Sequence, residues 1–294
     1  MDSQFRNIGI IGRVGNQFVI DSVKALKDIL IERNLTVILE KEIAHILPNH
    51  GLQVSTRKLI GEICDLVIVV GGDGSMLGAA RDLARHDVPV IGVNRGGLGF
   101  LTDISPNEIA KKIDEVLAGK FVVEKRFLLD VVIKRDGEPI GQGSAFNDVV
   151  VSSGEVARMI EFETYIEGQF VYSERSDGII VSTPTGSTAY SLSGGGPIMH
   201  PKLDALALVP MFPHSLSSRP IVIDGNSEIK IVIVSSGEVS PIVSCDGHIT
   251  LKTRPKDAIY IFKKPLKLTM LHPLDYSFYG VCRSKLIWGK KLVG

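Results

Sequence analysis

The stretch Leu66-Val67-Ile68-Val69-Val70-Gly71-Gly72-Asp73-Gly74-Ser75 decides the fold of the N-terminal half. It begins with apolar, mostly β-branched residues, which are typical of a central parallel strand covered on both faces. Three glycines around one aspartate follow, and residues 75–85 then have a helical pattern. Glycines let a backbone approach a ligand closely, and a helix N-terminus offers free N–H groups. We therefore expect Gly71 and Gly72 to bind phosphate.

The same alternation extends on both sides of this stretch. Strand patterns at residues 8–11, 35–39 and 88–93 alternate with helical patterns at 18–33, 57–63 and 108–117. Such alternation predicts a Rossmann-like domain, with a parallel sheet and helices on both of its faces. Ligands bind at the carboxyl ends of the strands in sheets of this kind.

The pattern changes near Phe121 to many short β-rich runs. Asp136-Gly137, Asp224-Gly225 and Asp246-Gly247 are turn signals between such runs. We predict an antiparallel, sandwich-like β domain at residues 123–269, after an α/β domain at residues 1–122. The fold class is thus α/β plus all-β. Residues 270–294 should join the first domain, with a helix at about 275–288.

Composition restricts the partners and the compartment. The 294 residues include 33 Lys and Arg and 33 Asp and Glu, so the formal net charge is zero. This argues against nucleic acid or a membrane as a partner recruited by bulk charge. Three scattered cysteines without a C-x-x-C motif favour reduced thiols, and no signal peptide or membrane-spanning run is evident. We expect a cytoplasmic protein.

Asp73 permits three interpretations. It could be a magnesium partner on the phosphate side, a general base or a plain turn former. The surrounding sequence matches neither G-x-x-x-x-G-K-[ST] nor G-x-G-x-x-G. Without a P-loop lysine, the charge of a nucleoside triphosphate must be met by backbone amides, other basic residues and Mg²⁺. The histidines are scattered, so we expect no metal site built from protein side chains.

Three further segments are candidates for ligand binding. A second glycine cluster, at residues 94–101, follows the strand at 88–93, although it could be only a connector. Residues 176–191 are dense in hydroxyls, which suit ribose or adenine, or which could form a loop that caps a helix near Thr188. Asn147-Asp148 precedes another strand, where turn chemistry is the alternative.

Together these segments resemble the bacterial NAD kinase family in order and spacing across nearly the whole chain. The resemblance implies transfer of phosphate from ATP to the 2′-hydroxyl of the adenosine ribose of NAD, with a divalent cation such as Mg²⁺, by a homodimer or homotetramer. Asp73 would be the catalytic proton acceptor, and Gly74 would contact NAD beside it. The other NAD-binding residues that the resemblance implies are Asn147, Asp148, Arg158, Arg175, Asp177, Thr188, Ala189, Tyr190, Ser191, Leu192 and Ser193.

Two departures and three alternatives remain. Asp148 stands where the family often has Glu, and His248 where Gln is common. One alternative is an NAD-dependent dehydrogenase, suggested by the glycines at residues 9–15 and by Glu40. The others are a related kinase acting on a lipid or sugar phosphate, and an NAD sensor without catalysis.

Overall fold

The computed structural model describes residues 4–13, 15, 17–94, 99–155, 158–237 and 239–288. They divide into two compact units. One comprises the described residues up to Lys125 and those from Lys267 onward, and the other is Arg126–Leu266. The limits expected from the sequence, after residue 122 and before residue 270, differ from these by three residues each.

Helices and strands alternate along much of the first unit, whereas strands predominate in the second. The helices are α1 (Gln17–Glu32), α2 (Lys41–Ala44), α3 (Arg57–Ile63), α4 (Asp73–Leu83), α5 (Ile109–Leu117), α6 (Tyr190–Ser193) and α7 (Phe278–Lys285). The strands are β1 (Asn7–Gly12), β2 (Thr36–Glu40), β3 (Gln53–Ser55), β4 (Leu66–Val70), β5 (Val90–Val93), β6 (Phe121–Arg135), β7 (Glu138–Ala145), β8 (Asp148–Ser152), β9 (Ile160–Ile166), β10 (Gln169–Ser176), β11 (Gly178–Ser182), β12 (Ala205–Met211), β13 (Ile221–Asp224), β14 (Ile229–Ser235), β15 (Ile242–Cys245), β16 (Ile249–Lys252) and β17 (Ala258–Pro273).

The first unit contains the predicted parallel sheet. Its strand order is β5-β4-β1-β2-β3, and the end of β17 lies beside β5, with Met270 opposite Val90. All of these pairs are parallel. The strand order reverses between β1 and β4, where Gly12 lies opposite Val70. This reversal is the switch point at which open α/β sheets bind ligands.

Burial explains why these segments take these forms. Every residue of β4 is buried, as expected for a strand covered on both faces. Helix α1 buries Val19, Val23, Leu26 and Leu30, whose spacing of three and four residues places them on one face. This face packs in the core with residues of β1, β2 and β4.

The second unit is the predicted sandwich of antiparallel strands. One sheet has the order β13-β12-β11-β8-β15-β16. Strands β10, β9, β14 and β17 form a second sheet, and β6 pairs with β7. Alternate residues of both sheets, such as Val149 and Val151 on β8 and Ile229 and Ile231 on β14, meet in one core. Two sheets that share a core in this way form a sandwich.

Turn chemistry agrees with the sequence at two hairpins. Asp136 and Gly137 have φ of 52° and 89°, and Asp246 and Gly247 have φ of 51° and 67°. Positive φ at both central residues is the signature of the two-residue turn that Asp-Gly favours. The turns join β6 to β7 and β15 to β16.

The lengths of β17 and α7 have physical reasons. Strand β17 continues to Pro273 although charged residues interrupt its apolar pattern. Lys263 and Lys264 fit within the strand because their ammonium groups bind Asp204 (2.6 Å) and Asp130 (2.9 Å). Helix α7 is shorter than residues 275–288, since Ser277 caps it by accepting a hydrogen bond from the Gly280 N–H. Within the described residues, every helix is too short or too polar to cross a membrane.

Candidate functional site

The glycine turn lies at the switch point of the first unit. Gly71 has φ of 154°, and a Cβ there would lie 2.3 Å from the Ser75 hydroxyl oxygen, so a side chain is excluded. Gly72 precedes α4, and Asp73 is its first residue, two residues earlier than the sequence predicted. Asp73 and Gly74 are therefore both in the first turn of the helix, where backbone N–H groups are free to bind an anion.

Two backbone hydrogen bonds orient the carboxylate of Asp73. Its Oδ2 accepts the N–H of Phe100 and its Oδ1 accepts the N–H of Leu101, each at 3.0 Å. The side chain is half-buried rather than inserted in the hydrophobic core. Since each carboxylate oxygen can accept two hydrogen bonds, Oδ2 retains capacity for one more donor.

The second glycine cluster supplies these donors, so the structure brings both clusters together. A Cβ on Gly99 would lie 2.2 Å from Asp73 Oδ1, which shows how closely the backbone approaches the carboxylate. The Asn94 amide donates to the Thr102 hydroxyl at 2.7 Å, and this hydroxyl lies 3.5 Å from Asp73 Oδ1. Residues 95–98 of the cluster lie outside the described residues.

Glu40 has a structural role in the first unit. Its Oε2 accepts the Gly12 N–H at 3.1 Å, and Arg57 binds Oε1. Arg57 also binds Asp82 at 3.2 Å. The dehydrogenase interpretation needs Glu40 for a ribose hydroxyl, whereas here both of its oxygens hold parts of the first unit together.

In the second unit, Asp246 holds the Asn147-Asp148 pair. Its carboxylate accepts the backbone N–H groups of Phe146 (3.0 Å), Asn147 (2.8 Å) and Asp148 (3.3 Å). The sequence identified Asp246 only as a turn former and missed this contact. The contact depends on the pairing of β15 with β8, which no local pattern encodes.

Asn147 and Asp148 offer polar groups in a buried setting. The Oδ1 atom of Asn147 is buried and has no hydrogen-bond partner within the described part of the chain. Burial, together with the nearby negative charge of Asp246, raises the pKa of Asp148 to about 7. Near neutral pH this carboxyl can therefore donate as well as accept a hydrogen bond.

Several hydroxyls of residues 176–191 stabilise the loop itself. The Thr183 hydroxyl donates to the Phe146 carbonyl at 2.7 Å. The Ser187 hydroxyl donates to the Pro184 carbonyl and accepts the Met199 N–H. Both hydroxyls find their hydrogen-bond partners inside the protein, so they hold the loop in place.

Residues 188–193 form a short turn followed by α6. Ala189 rather than Thr188 precedes α6, and no side chain caps this helix, so the capping alternative for Thr188 is wrong. Tyr190 and Ser193 line a cavity of about 360 Å³. The Ser191 hydroxyl is buried without a hydrogen-bond partner among the described residues. Thr188, Ala189 and Leu192 are half-buried.

Arg158 and Arg175 meet in a separate cleft of about 490 Å³. Both residues are exposed, and in the described ranges neither guanidinium forms an ion pair. This cleft and the cavity at Tyr190 have no lining residue in common. Asp177 is half-buried, and its N–H donates to the Met211 carbonyl at 3.0 Å. It lines neither space, although the sequence placed it in one site with the two arginines.

Potential metal ligands are dispersed in the described part of the chain. Across the described ranges, no group of three or more His, Cys, Asp or Glu side chains comes together as potential ligands. The acidic groups nearest to Asp73 in sequence, Asp65 and Asp82, each bind other protein groups.

Comparison with known proteins identifies the family. The family model of the ATP-NAD kinase N-terminal domain matches residues 8–121, and that of the ATP-NAD kinase C-terminal domain matches residues 146–272. An NAD kinase of Pseudomonas entomophila is 62% identical over 291 residues, covering 99% of this chain and 98% of the relative. An NAD kinase of Pseudomonas putida (strain F1) is 62% identical over 289 residues, covering 98% of each chain.

Solved structures agree with this assignment. Yeast NADH kinase, in a crystal structure with NADH, superposes with a TM-score of 0.88 at 25% identity, covering 98% of this chain and 92% of the yeast chain. An Archaeoglobus fulgidus NAD kinase, solved with ATP, has the same fold, with a TM-score of 0.69 at 23% identity over 95% of this chain and 99% of that one. The fold, the two domain matches and the identity over nearly the full length together show that this chain belongs to the NAD kinase family.

Proposed function

We propose that this protein transfers the γ-phosphate of ATP to the 2′-hydroxyl of the adenosine ribose of NAD, giving NADP. The observation that carries the proposal is the Asp73 carboxylate, which two backbone N–H groups orient at the switch point of the parallel sheet. The relatives that are 62% identical to this chain are NAD kinases, which supports the same reaction here.

Asp73 is proposed to accept the proton of the ribose hydroxyl. Phosphoryl transfer passes through a loose transition state, so catalysis consists mainly of positioning and charge stabilisation. The proton leaves late, and a carboxylate placed to receive it contributes about 10²- to 10⁴-fold in rate. The remaining lone pair of Oδ2 is available for this hydrogen, because the two N–H bonds leave it free.

The first turn of α4 is proposed to hold phosphate oxygens. Gly71 and Gly72 bring the backbone close enough for its N–H groups to reach an anion, and the positive end of the helix dipole adds to the attraction. Mg²⁺ is proposed to enter with ATP as part of the substrate complex, since no metal cage assembles among the described residues. Bound to the phosphates, it would neutralise their charge.

The second unit is proposed to bind NAD. Asn147 and Asp148 suit the hydroxyls and amides of a nucleoside, because one offers a buried acceptor and the other an exchangeable proton. Arg158 and Arg175 suit a phosphate group, since paired guanidinium groups bind such anions strongly. Gly74, Asp177 and residues 188–193 are proposed to complete the contacts on the basis of family resemblance.

Assembly and location are also proposals. Phe212 is 78% and Leu216 95% exposed in one segment of the second unit, and large apolar side chains exposed near one another in the chain suit a protein interface. We propose a homodimer or homotetramer, which light scattering on the purified protein would measure. All three cysteines are free and buried, which suits the reducing cytoplasm.

The test is Asp73→Asn, assayed with ATP, Mg²⁺ and NAD and read out by an NADP-dependent enzyme. We expect kcat to fall by about 10²- to 10⁴-fold while NAD binding, measured by calorimetry, persists. The wild-type protein should form NADP, which neither an NAD sensor nor a lipid or sugar-phosphate kinase would do.

Asp65→Asn is the matched control. The Asp65 carboxylate also accepts two backbone N–H groups, those of Arg6 (2.9 Å) and Asn7 (2.8 Å). Asp65 precedes β4, however, and so lies at the amino ends of the parallel strands, whereas Asp73 lies at their carboxyl ends. The chemical change is the same, and kcat should stay within about twofold of wild type. Turnover by Asp73→Asn close to that of Asp65→Asn would refute the role of Asp73 as the proton acceptor.

A further inference from the structure

A buried histidine lies between two carboxylates in the first unit. His272, near the end of β17, is fully buried. Its Nδ1 is hydrogen-bonded to Asp103, and its Nε2 lies 3.1 Å from Glu124 Oε2. Tyr276 stacks on the ring, with 4.0 Å between ring centroids and 15° between the planes. The mechanism proposed above uses none of these groups.

Polar contacts hold this ring from both sides. A histidine ring has one nitrogen toward each side, so a single ring can contact both carboxylates. The side chains of Asp103 and Glu124 are each only 7% exposed, so these contacts are made largely away from water.

Asp103 is part of the loop that orients Asp73. The backbone N–H groups of Asp103 and Ile104 both approach the Gly92 carbonyl at 3.2 Å. A Cβ on Gly92 would lie 2.7 Å from the Leu101 carbonyl oxygen, so the loop packs against β5 without spare room. A shift of Asp103 is therefore transmitted along the backbone to Leu101, whose N–H binds Asp73.

We infer that His272 is a positioning residue for the proposed phosphoryl transfer. Held between Asp103 and Glu124 and stacked on Tyr276, it fixes the loop of residues 99–103, whose N–H groups orient the Asp73 carboxylate. The inference rests on the proposed function, and it places a determinant of the first unit's site in the C-terminal segment of the chain.

The experiment compares His272→Phe with His272→Gln. Phenylalanine keeps a ring to stack on Tyr276 and removes both ring nitrogens, whereas glutamine keeps a polar group that can reach one carboxylate. We expect His272→Phe to lower kcat by about tenfold or more with both KM values within about twofold, because only the alignment of the proton acceptor changes. His272→Gln should recover part of the loss.

A double-mutant cycle separates positioning from general weakening of the fold. In the Asp73→Asn background, His272→Phe should lower kcat by no more than about twofold further, since the group that it positions is already absent. Lys112→Met is the control, because it breaks another contact to the C-terminal segment, the Lys112–Asp275 ion pair at 2.8 Å. Its kcat should stay within about twofold of wild type.

Several results would overturn the inference alone: equal losses from His272→Phe in both backgrounds, a change in KM instead of kcat, or a Lys112→Met variant as slow as His272→Phe. If His272→Phe does not fold, Asp103→Asn replaces it, since it keeps the size of the side chain, and the same pattern is required. A wild-type protein that forms no NADP would instead overturn the proposed function, and the inference with it.

Discussion

Gly99 is the position where one added methyl group should disturb catalysis most directly. A Cβ there would lie 2.2 Å from Asp73 Oδ1 and 2.5 Å from the Thr102 hydroxyl oxygen, whereas ordinary contacts begin near 3.4 Å. In Gly99→Ala the carboxylate must therefore move by about 1 Å, and a displacement of that size can lower an enzymatic rate by about 10²-fold. The loss should be in kcat, with KM for NAD within about threefold of wild type.

The same displacement should also lower stability. The Leu101 N–H bond to Asp73 Oδ1, now 3.0 Å, would lengthen beyond bonding distance. Hydrogen bonds to charged groups contribute about 1.5–3 kcal/mol, so the free energy of unfolding should fall by about 2 kcal/mol. Initial rates of NADP formation and urea unfolding curves of the same preparations measure both effects.

Gly61→Ala separates the two effects. A Cβ on Gly61 would lie 2.5 Å from His86 Cδ2, so the clash is of similar depth in the same unit. This variant should lose similar stability and keep kcat within about twofold of wild type. The reasoning is refuted if Gly99→Ala turns over as fast as Gly61→Ala, or if both lose activity in proportion to stability.

Three further predictions concern the second unit. Burial raises the pKa of the Asp148 carboxyl from 3.8 to about 7. The folded state therefore binds the carboxyl proton more tightly than the unfolded chain does, and the free energy of unfolding falls as the pH rises from about 4 to about 7. At about 1.4 kcal/mol for each pKa unit, this loss of stability is at most about 4 kcal/mol. Asp148→Asn cannot ionise and should not show the loss. Urea unfolding should therefore find the variant more stable than wild type at about pH 8 but not at about pH 4. Asp246→Ala should lower the free energy of unfolding by about 2–4 kcal/mol because three buried N–H groups lose their acceptor. Asp224→Ala, at another Asp-Gly turn but exposed, should cost clearly less, and equal losses would contradict this. Arg175→Ala should raise KM for NAD by about tenfold with little change in kcat, and a rise confined to KM for ATP would contradict the placement of NAD.

The sequence predicted those parts of the fold that local patterns determine. The apolar run Leu66–Val70 and the helical spacing of α1 identified their elements because burial imposes a period on each. The Asp-Gly hairpins were predictable because few residues adopt positive φ. Strands β7 and β12 are less evident from the sequence, since glycines and a proline interrupt the pattern of β7 and a proline interrupts that of β12.

The site was predictable in its components but not in its contacts. The glycine turn and Asp73 were evident from strand, turn and helix in succession. Asp246 and His272 were missed as partners because each contacts residues about 100 or more positions away. Only the strand pairing determines which distant groups meet, so no local pattern identifies them.

The division of the chain has a consequence for synthesis on the ribosome. Leu271 lies in the core of the first unit, and Met270 lies beside Val90, yet both are made after the 141 residues of Arg126–Leu266. At about 5–20 residues per second, the growing chain waits roughly 10–30 s for these residues. Until then the Val90 end of β5 lacks its neighbouring strand and can pair with another nascent chain. The earliest-made half of this protein is therefore the last to be completed, and it is the half that chaperones would need to protect.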